Sequence, residues 1–463
     1  MKRFINRDWE LELLNEQYSS SGASFVVLYG RRRVGKTTLI REFVKDKPAM
    51  YFLATEESDE ENRKAFARNI AEFTQNKRDG NVIYENWQDA ISVFTDFECK
   101  EKKIIIIDEL PYLVRANPAI PSILQKIWDN NLQHENIMLI LCGSLIHMME
   151  KHTLNYGSPL YGRRTGQIKL KQIEFKYYSD FISSLSYRDL IEYYSVTGGI
   201  PRYIELFEGN GNLMSKIKQI ILDRGGYLFE EPEFLLRHEV DEIGNYMSII
   251  KSIAAGNHRL SKISADIGVK QTSLPKYLKT LLDLDILERE VPITESNPEK
   301  RKTSLYKIKD NFLRFWFCFV YSERSRLELG QTDSVISKIK ANFIDNHVSY
   351  IYESVCQSEM WQLNQENTLK FNKIGRWWNR SNEIDIVALD EESNSIIFAE
   401  CKYSKNPIDV EVFYELLRKK DIVPWRNENR NEKYILFSIN GFTPRLAELS
   451  ATRTDLILFG VNE

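Results

Sequence analysis

Five apolar residues, FVVLY (Phe25 to Tyr29), run without a break into GRRRVGKTTLI (Gly30 to Ile40). A short continuous run of β-branched and aromatic residues marks a strand covered on both faces, as in a parallel sheet between layers of helix. The segment Gly30-Arg31-Arg32-Arg33-Val34-Gly35-Lys36-Thr37 fits G-x-x-x-x-G-K-[ST], and Thr38 to Asp46 reads as a helix. Strand, loop and helix together commit this part of the chain to an α/β fold. Gly30 and Gly35 let the backbone turn its N–H groups toward phosphate oxygens, at a helix N-terminus whose dipole favours an anion. Lys36 is placed to neutralise β- and γ-phosphates, and the Thr37 hydroxyl to complete a Mg²⁺ shell. Arg31, Arg32, Arg33, Val34 and Thr38 are the remaining candidate contacts of this loop. The expected cofactors are ATP and Mg²⁺.

The second half of such a site is written at KKIIIIDELPYL. Ile104 to Ile107 reads as a buried strand with Asp108 at its carboxyl edge, where α/β ligand sites form. Asp108 can reach Mg²⁺ through water, and Glu109 is placed as the general base for an attacking water. An acidic turn after a core strand is the plainer alternative, and the upstream loop is what favours the site. A third strand, IMLILCGS, ends on Ser144, whose hydroxyl can sense a γ-phosphate or orient water; serine at a strand end also suits a turn. Farther on, GSPLYGRRTGQIKLKQ offers Arg163 and Arg164 as an arginine finger or phosphate sensor, with a solvated basic loop as the alternative.

At 463 residues the chain exceeds one ordinary core, and about two to four domains are expected. A composition of 43% hydrophobic and 28% charged residues excludes a disordered chain. With a formal net charge of -3, any nucleic-acid surface must be local. The five cysteines stand singly, which suits reduced thiols rather than a disulfide frame or a zinc site. The N-terminus has no apolar signal region, and no window approaches the roughly 18 apolar residues of a membrane span. A soluble, cytoplasmic protein with no membrane partner is expected.

Six stretches in order, FINRDWELELL, GRRRVGKTTLI, IIIIDELPYL, LILCGSLIHMM, SPLYGRRTGQIKL and YYSVTGGIPRYI, resemble the archaeal-type ATPases of the AAA+/STAND group. The resemblance implies a P-loop NTPase core, a parallel five-stranded αβα sandwich, with a small helical lid. It places Arg7 in the segment that packs by the adenine, and Arg202, in the turn GGIPR, near the phosphates as a second sensor. Arg31 to Arg33 then look like part of this family's loop rather than a nucleic-acid patch.

From Asn245 the pattern is helical: NYMSIIKSIAAG, RLSKISADIG and VKQTSLPKYLKTLLDLDIL, the last with Leu274, Leu278, Leu281 and Leu282 on one face. LEREVPI and SLYKIKD then alternate as strands around a polar turn. Three helices and a two-stranded wing describe a winged helix-turn-helix. For DNA it would offer Lys270, Gln271, Thr272, Ser273, Lys276 and Lys279, and a wing bearing Lys300, Arg301 and Lys302. Winged helices also serve as protein-docking modules, and Pro275 limits a long reading surface.

In SNEIDIVALDEESNSIIFAECKYSK, Glu383 to Leu389 and Ile396 to Tyr403 read as two strands of a hairpin. Period 2 puts Glu400 and Lys402 on one face, and antiparallel pairing can bring Asp385 beside them. Asp385 and Glu400 are hard-oxygen candidates for Mg²⁺, and Lys402 can stabilise developing phosphorane charge. The spacing resembles the PD-(D/E)xK nuclease fold, in which an upstream helix often adds a glutamate, here Glu353. Archaeal-type ATPases often carry such a domain after a winged helix. Carboxylates that merely hold a hairpin, or a fold that binds DNA without cutting it, are the alternatives.

The expected fold is therefore α/β: a P-loop NTPase αβα sandwich (1–170) with a helical lid (171–235), followed by a winged helix-turn-helix (236–325) and a restriction-endonuclease-like α/β domain (326–463). The expected partners are ATP and ADP, DNA through the last two domains, and a second copy of the chain in a nucleotide-dependent homo-oligomer. Two functions compete: an ATPase whose nucleotide state controls a DNA-directed nuclease-like module, and a STAND-type switch whose C-terminal domain only docks. A helicase or chaperone motor has neither a helicase motif set nor a pore loop to support it.

Overall fold

The computed structural model describes residues 4–76, 82–297 and 304–460. The chain falls into two compact units. Unit 1 is Met1–Ile173 with Ile200–Arg202 and Arg237–Asp241; unit 2 is Glu174–Gly199, Tyr203–Leu236 and Glu242–Glu463.

Unit 1 is built on strands β1 (Ser24–Tyr29), β2 (Ala49–Leu53), β3 (Lys103–Asp108), β4 (Ile137–Gly143) and β5 (Gly166–Lys169). They pair in the order β2-β3-β4-β1-β5, all parallel. Every residue of β1, β3 and β4 is buried, as their continuous apolar runs require. The helix after the loop is Lys36–Phe43 rather than Thr38 to Asp46. Gly35 caps it in the left-handed region, so it starts at Lys36, and Pro48 disfavours helical backbone at the residue before it.

Unit 2 is organised by the helix Asn311–Phe319 (NFLRFWFCF), in which all but one residue is buried. A helix apolar on every face belongs inside a fold. Its polar groups are spent on neighbouring backbone: Asn311 Nδ2 donates to Tyr194 O (3.2 Å), Trp316 Nε1 to Phe229 O (3.0 Å) and an Arg314 Nη to Asn346 O (2.9 Å). Segments 174–199 and 203–236, expected as part of a lid, pack in this unit because Tyr194, Tyr203 and Phe229 face that helix.

Three helices, Ile243–Ala254, Leu260–Ile267 and Leu274–Asp283, precede an antiparallel ribbon of β6 (Leu287–Glu290) and β7 (Leu305–Ile308). Leu274, Leu278 and Leu281 are buried. Gln271–Ser273 is a 3₁₀ turn and not the first turn of the third helix. Pro275 has no N–H to give the Gln271 carbonyl, so the α-helical ladder cannot extend there. Lys300, Arg301 and Lys302 lie outside the described residues.

The last sheet holds β8 (Lys373–Trp378), β9 (Glu383–Asp390), β10 (Ser395–Lys402), β11 (Asn431–Ser438) and β12 (Leu456–Gly460), in the order β12-β11-β10-β9-β8. β8, β9 and β10 are antiparallel, whereas β10, β11 and β12 run parallel. Helices Ser349–Gln365, Val410–Lys420 and Pro444–Ala451 accompany it. Its core joins Trp377, Phe398, Phe413, Tyr434 and Leu436. No helix among the described residues is long and apolar enough to cross a membrane.

His347 is buried against the rings of Phe315, Phe319 and Phe343, with Nε2 2.7 Å from Ser195 O, which places the proton on Nε2. Burial, with the nearby Arg314 charge, pushes its pKa down to about 3. The unfolded chain takes up this proton near about pH 6.5, so the stability His347 contributes is complete above that pH and is lost as pH falls toward the folded value. The thermal midpoint should fall between pH 7 and 4.5, and less steeply in His347→Phe, which keeps the ring packing. Equal slopes in the two proteins would remove His347 as the cause.

Candidate functional site

The loop after β1 is shaped by its surroundings. Leu170 N donates to Tyr29 O (2.7 Å), which lays the chain beyond β5 against Gly30. A Cβ on Gly30 would collide with the Leu170 carbonyl. Gly35 sits at φ +100, where side chains with a Cβ are strained. Lys36 is 6% exposed and its Nζ donates to Gly30 O (2.8 Å) and Arg31 O (3.0 Å), folding back across the loop. Burial lowers its pKa, against the pull of Cys142, Glu109 and Asp108.

The arginines divide by role. Arg7 Nη2 donates to Val34 O (3.2 Å) and Lys171 O (2.7 Å), and Nη1 meets Glu10 (3.1 Å). Arg7 thus ties the loop to the helix Asp8–Ser19 through the loop's backbone. Arg32 donates to the Tyr112 hydroxyl (2.5 Å), Arg31 is buried, and Arg33 adopts φ +70. Thr38 is exposed on the first helical turn. Segment Ile200–Arg202 folds over the loop: Pro201 Cγ is 4.0 Å from where a Gly35 Cβ would stand, and Arg202 follows in the helix Pro201–Leu206.

Asp108 is 3% exposed at the end of β3; Oδ1 accepts from Glu109 N (2.9 Å) and Oδ2 from the Tyr51 hydroxyl. Tyr51 is also hydrogen-bonded to Thr37. Burial, with the Asp108 bond, pushes the Tyr51 pKa up, so the phenol keeps its proton. Thr37 and Asp108 therefore converge on one hydroxyl, two hard oxygens of the kind Mg²⁺ selects. Among the described residues no three His, Cys, Asp or Glu side chains form a metal cluster. The rest of a Mg²⁺ shell here falls to phosphate and water oxygens, and the residues present fit that arrangement.

Glu109 caps the next helix at φ 54, ψ 45. Left-handed backbone costs a non-glycine residue about 1–2 kcal/mol, a strain that functional sites commonly hold. Its carboxylate is gripped by Ser144, whose N (3.1 Å) and Oγ (2.9 Å) both donate to Oε2. β4 lies between β1 and β3, so Ser144 emerges between the loop and Asp108. Beyond it, Ile146 N donates to Glu239 Oε1 (3.1 Å), and the N–H of His147 adds to the same carboxylate. Burial pushes the Glu239 pKa up to about 7, against those N–H groups and the charges of Arg31 and Lys36. Tyr51 and Glu239 carry no motif that marks them in the sequence, and Tyr112 lies within IIIIDELPYL without being singled out there.

Arg163 is placed elsewhere. Its Nε and Nη2 grip Asp129 (2.7 Å each) and Nη1 donates to Pro159 O (2.8 Å). Thr165 N donates to Phe25 O at the start of β1, whereas the phosphate loop follows its end. A six-residue strand spans about 17–20 Å. Arg163 therefore stands by the amino edge of the sheet, away from the loop of its own chain. Arg164, next in sequence, lies 5.9 Å from the Tyr161 ring centroid.

A second polar cluster lies in unit 2. The pairing of β9 with β10 runs to Ile386–Ala399, and beyond it Cys401 N donates to the Asp385 carboxylate (2.9 Å) instead of to backbone. Glu400 is 6% exposed, accepts from Lys402 Nζ (2.8 Å) and has Lys419 Nζ at 3.5 Å. Burial, then the Asp385 charge, raises the Glu400 pKa. Burial disfavours the Lys402 ammonium, but the Glu400 carboxylate outweighs it and holds the pKa high. Glu400 Oε2 is buried without a hydrogen-bond partner among the described residues, which suits a cation ligand. Asp385, Glu400 and Lys402 thus come together as the hairpin predicts. Glu353 is paired with Arg376, which also pairs with Glu383 and feels the Asp385 charge.

Comparison with known proteins fits this geometry. A family described as an ATPase domain predominantly from Archaea matches residues 4–207, and one described as archaeal and bacterial proteins of unknown function matches residues 316–419. The uncharacterized protein MJECL04 of Methanocaldococcus jannaschii is 36% identical over 426 residues, 91% of this chain and 92% of that one. The uncharacterized ATP-binding protein MJ0423 of the same organism is 50% identical over 44 residues, 10% of this chain and 75% of that one. The Walker-type ATPase of Pyrococcus abyssi shares the fold at a TM-score of 0.52 and 21% identity, over 68% of this chain and 96% of that one. The chain belongs to the family of MJECL04, and in this chain an archaeal-type ATPase domain is followed by a segment matching proteins of unknown function.

Proposed function

We propose that the chain hydrolyses ATP with Mg²⁺ and that its nucleotide state governs a C-terminal module acting on DNA. In this reading 1–170 is the ATPase core, 171–235 its lid, 236–325 a winged helix-turn-helix and 326–463 a nuclease-like domain. The observation that carries it is the grip of Ser144 on Glu109 beside the closed Lys36 loop. It aligns a base, a polar sensor and a phosphate cradle along one edge of a parallel sheet.

The backbone N–H groups of Gly30 to Thr37 cradle the phosphates. Lys36 exchanges the Gly30 and Arg31 carbonyls for phosphate oxygens. Thr37 and Asp108 would hold Mg²⁺, with Tyr51 orienting the Asp108 carboxylate. A bound Mg²⁺ supplies neutralisation of phosphate charge. Glu109 takes the proton of the attacking water, Ser144 sets its carboxylate, and Arg202 faces the phosphates from the segment over the loop.

For the C-terminal module, Asp385 and Glu400 are metal ligands and Lys402 offsets charge on a scissile phosphate. Lys270, Gln271, Thr272, Ser273, Lys276 and Lys279 are all exposed and offer contacts to DNA. One observation favours a second reading, a STAND-type switch with a docking module. Lys402 and Lys419 both face Glu400, and Glu353 is held by Arg376, so the acidic cluster is largely neutralised within the chain.

Lys36→Ala should lose nucleotide binding, whereas Glu109→Gln should bind ATP normally and slow its turnover about 10²-fold or more. Full turnover by Lys36→Ala would overturn the assignment. DNA cleavage with Mg²⁺ or Mn²⁺ should vanish in Asp385→Ala and Lys402→Ala; wild-type protein that cuts no DNA with any metal leaves the docking reading. In that case ATP should shift the sedimentation of Glu109→Gln, and unchanged sedimentation would count against a switch.

A further inference from the structure

We infer that Glu239 is a positioning residue for ATP hydrolysis: through the backbone of Ile146 it fixes the end of β4, so that Ser144 holds Glu109 in place. The inference rests on the proposed hydrolytic reading of the site. In this role Glu239 acts through the backbone N–H groups of Ile146 and His147 rather than on phosphate or Mg²⁺ itself.

The relay is short. Ser144 and Ile146 are separated by one residue, and consecutive Cα atoms are held about 3.8 Å apart by planar peptides. That residue, Leu145, is 1% exposed and extended (φ -88, ψ 95), so its side chain pins the middle of the span. At the other end a Cβ on Gly143 would collide with Met149 and Pro111, which leaves β4 no room to slide. Ser144 spends both its N–H and its hydroxyl on Glu109 Oε2. The N–H of Ile146, the next outward-pointing handle, is spent on Glu239. Movement of the Glu239 carboxylate is thus transmitted to the Glu109 carboxylate through three consecutive residues.

A carboxylate suits this post. An ionised acceptor makes shorter and stronger bonds to backbone N–H groups than a neutral one. Burial raises the Glu239 pKa to about 7, and the N–H groups with the charges of Arg31 and Lys36 work against that rise. Glu239 is the last residue of the helix Glu231–Glu239. The post that sets the general base is therefore anchored 93 residues beyond Ile146, in a segment that no nucleotide-binding motif covers.

The test compares steady-state ATPase rates and binding of a fluorescent ATP analogue on the full chain. Glu239→Ala should lower kcat about tenfold with KM and analogue affinity within about twofold, as displacement of a catalytic group does. Glu239→Gln should recover to within about threefold of wild type, because its amide oxygen still accepts the Ile146 N–H. Ser144→Ala/Glu239→Ala should be no slower than Ser144→Ala, because the two residues act in series. Ile146→Pro removes the donor at the first helical position, where proline is tolerated after the extended Leu145, and should match Glu239→Ala. Should Glu239→Ala not fold, the glutamine and proline variants carry the decision. Equal losses of binding and turnover, a glutamine variant as slow as alanine, or multiplying losses in the double variant would overturn the inference. Failure of the hydrolytic reading is distinct: wild type then shows no turnover that Lys36→Ala abolishes, and the positioning role falls with it.

Discussion

The paired hydrogen bonds from Ser144 to Glu109 exist because β4 is inserted between the strand that ends in the phosphate loop and the strand that ends in Asp108. Were β1 and β3 neighbours, loop and carboxylates would meet directly and no third strand end could come between them. The insertion separates two tasks. β1 delivers the cradle, β3 the acids, and β4 a polar side chain that restrains one of those acids. Burial of all three strands along their length gives the arrangement its rigidity. The left-handed strain at Glu109 is tolerated because both sides of that residue are fixed, by β3 before it and the helix Leu110–Ala116 after it.

Unit 2 solves a different problem. Its organising helix, Asn311–Phe319, has no polar face to show to water, so the segments around it must supply both cover and hydrogen-bond acceptors. Backbone carbonyls of Tyr194, Phe229 and Asn346 do so from three distant parts of the chain. This is why the stretch holding Tyr194 and Phe229 packs with residues 117 and 87 positions later.

Legibility followed sequence locality. Gly30, Lys36, Thr37, Asp108, Glu109 and Ser144 were readable because each stands at the junction of an apolar strand and a loop, and the junction itself is the signal. Tyr51 and Glu239 were not, since what gives them meaning is a partner 57 or 93 residues away. The position of Arg163 was not legible because a basic pair looks the same at either edge of a sheet, and only strand pairing reveals that it precedes β5 at the amino edge. In the last sheet, the Asp385–Glu400 pairing followed from period-2 alternation, whereas β8 was missed because its register shifts between Gly375 and Trp377, which breaks that alternation. Glu353 lies on the helix where an extra acid was expected, but Arg376, projecting from that irregularity, takes it up.

Lys36 carries a consequence of its own. Its ammonium is stripped of water by the fold and held on two carbonyls of its own loop. Burial thus already meets most of the dehydration that usually weakens a lysine's grip on phosphate, and engagement becomes an exchange of acceptors. Affinity for the ligand is in this sense drawn from folding free energy. Substitutions beneath the loop that leave the global fold intact but admit water to Lys36 would surface as weaker binding in a protein whose melting curve looks normal.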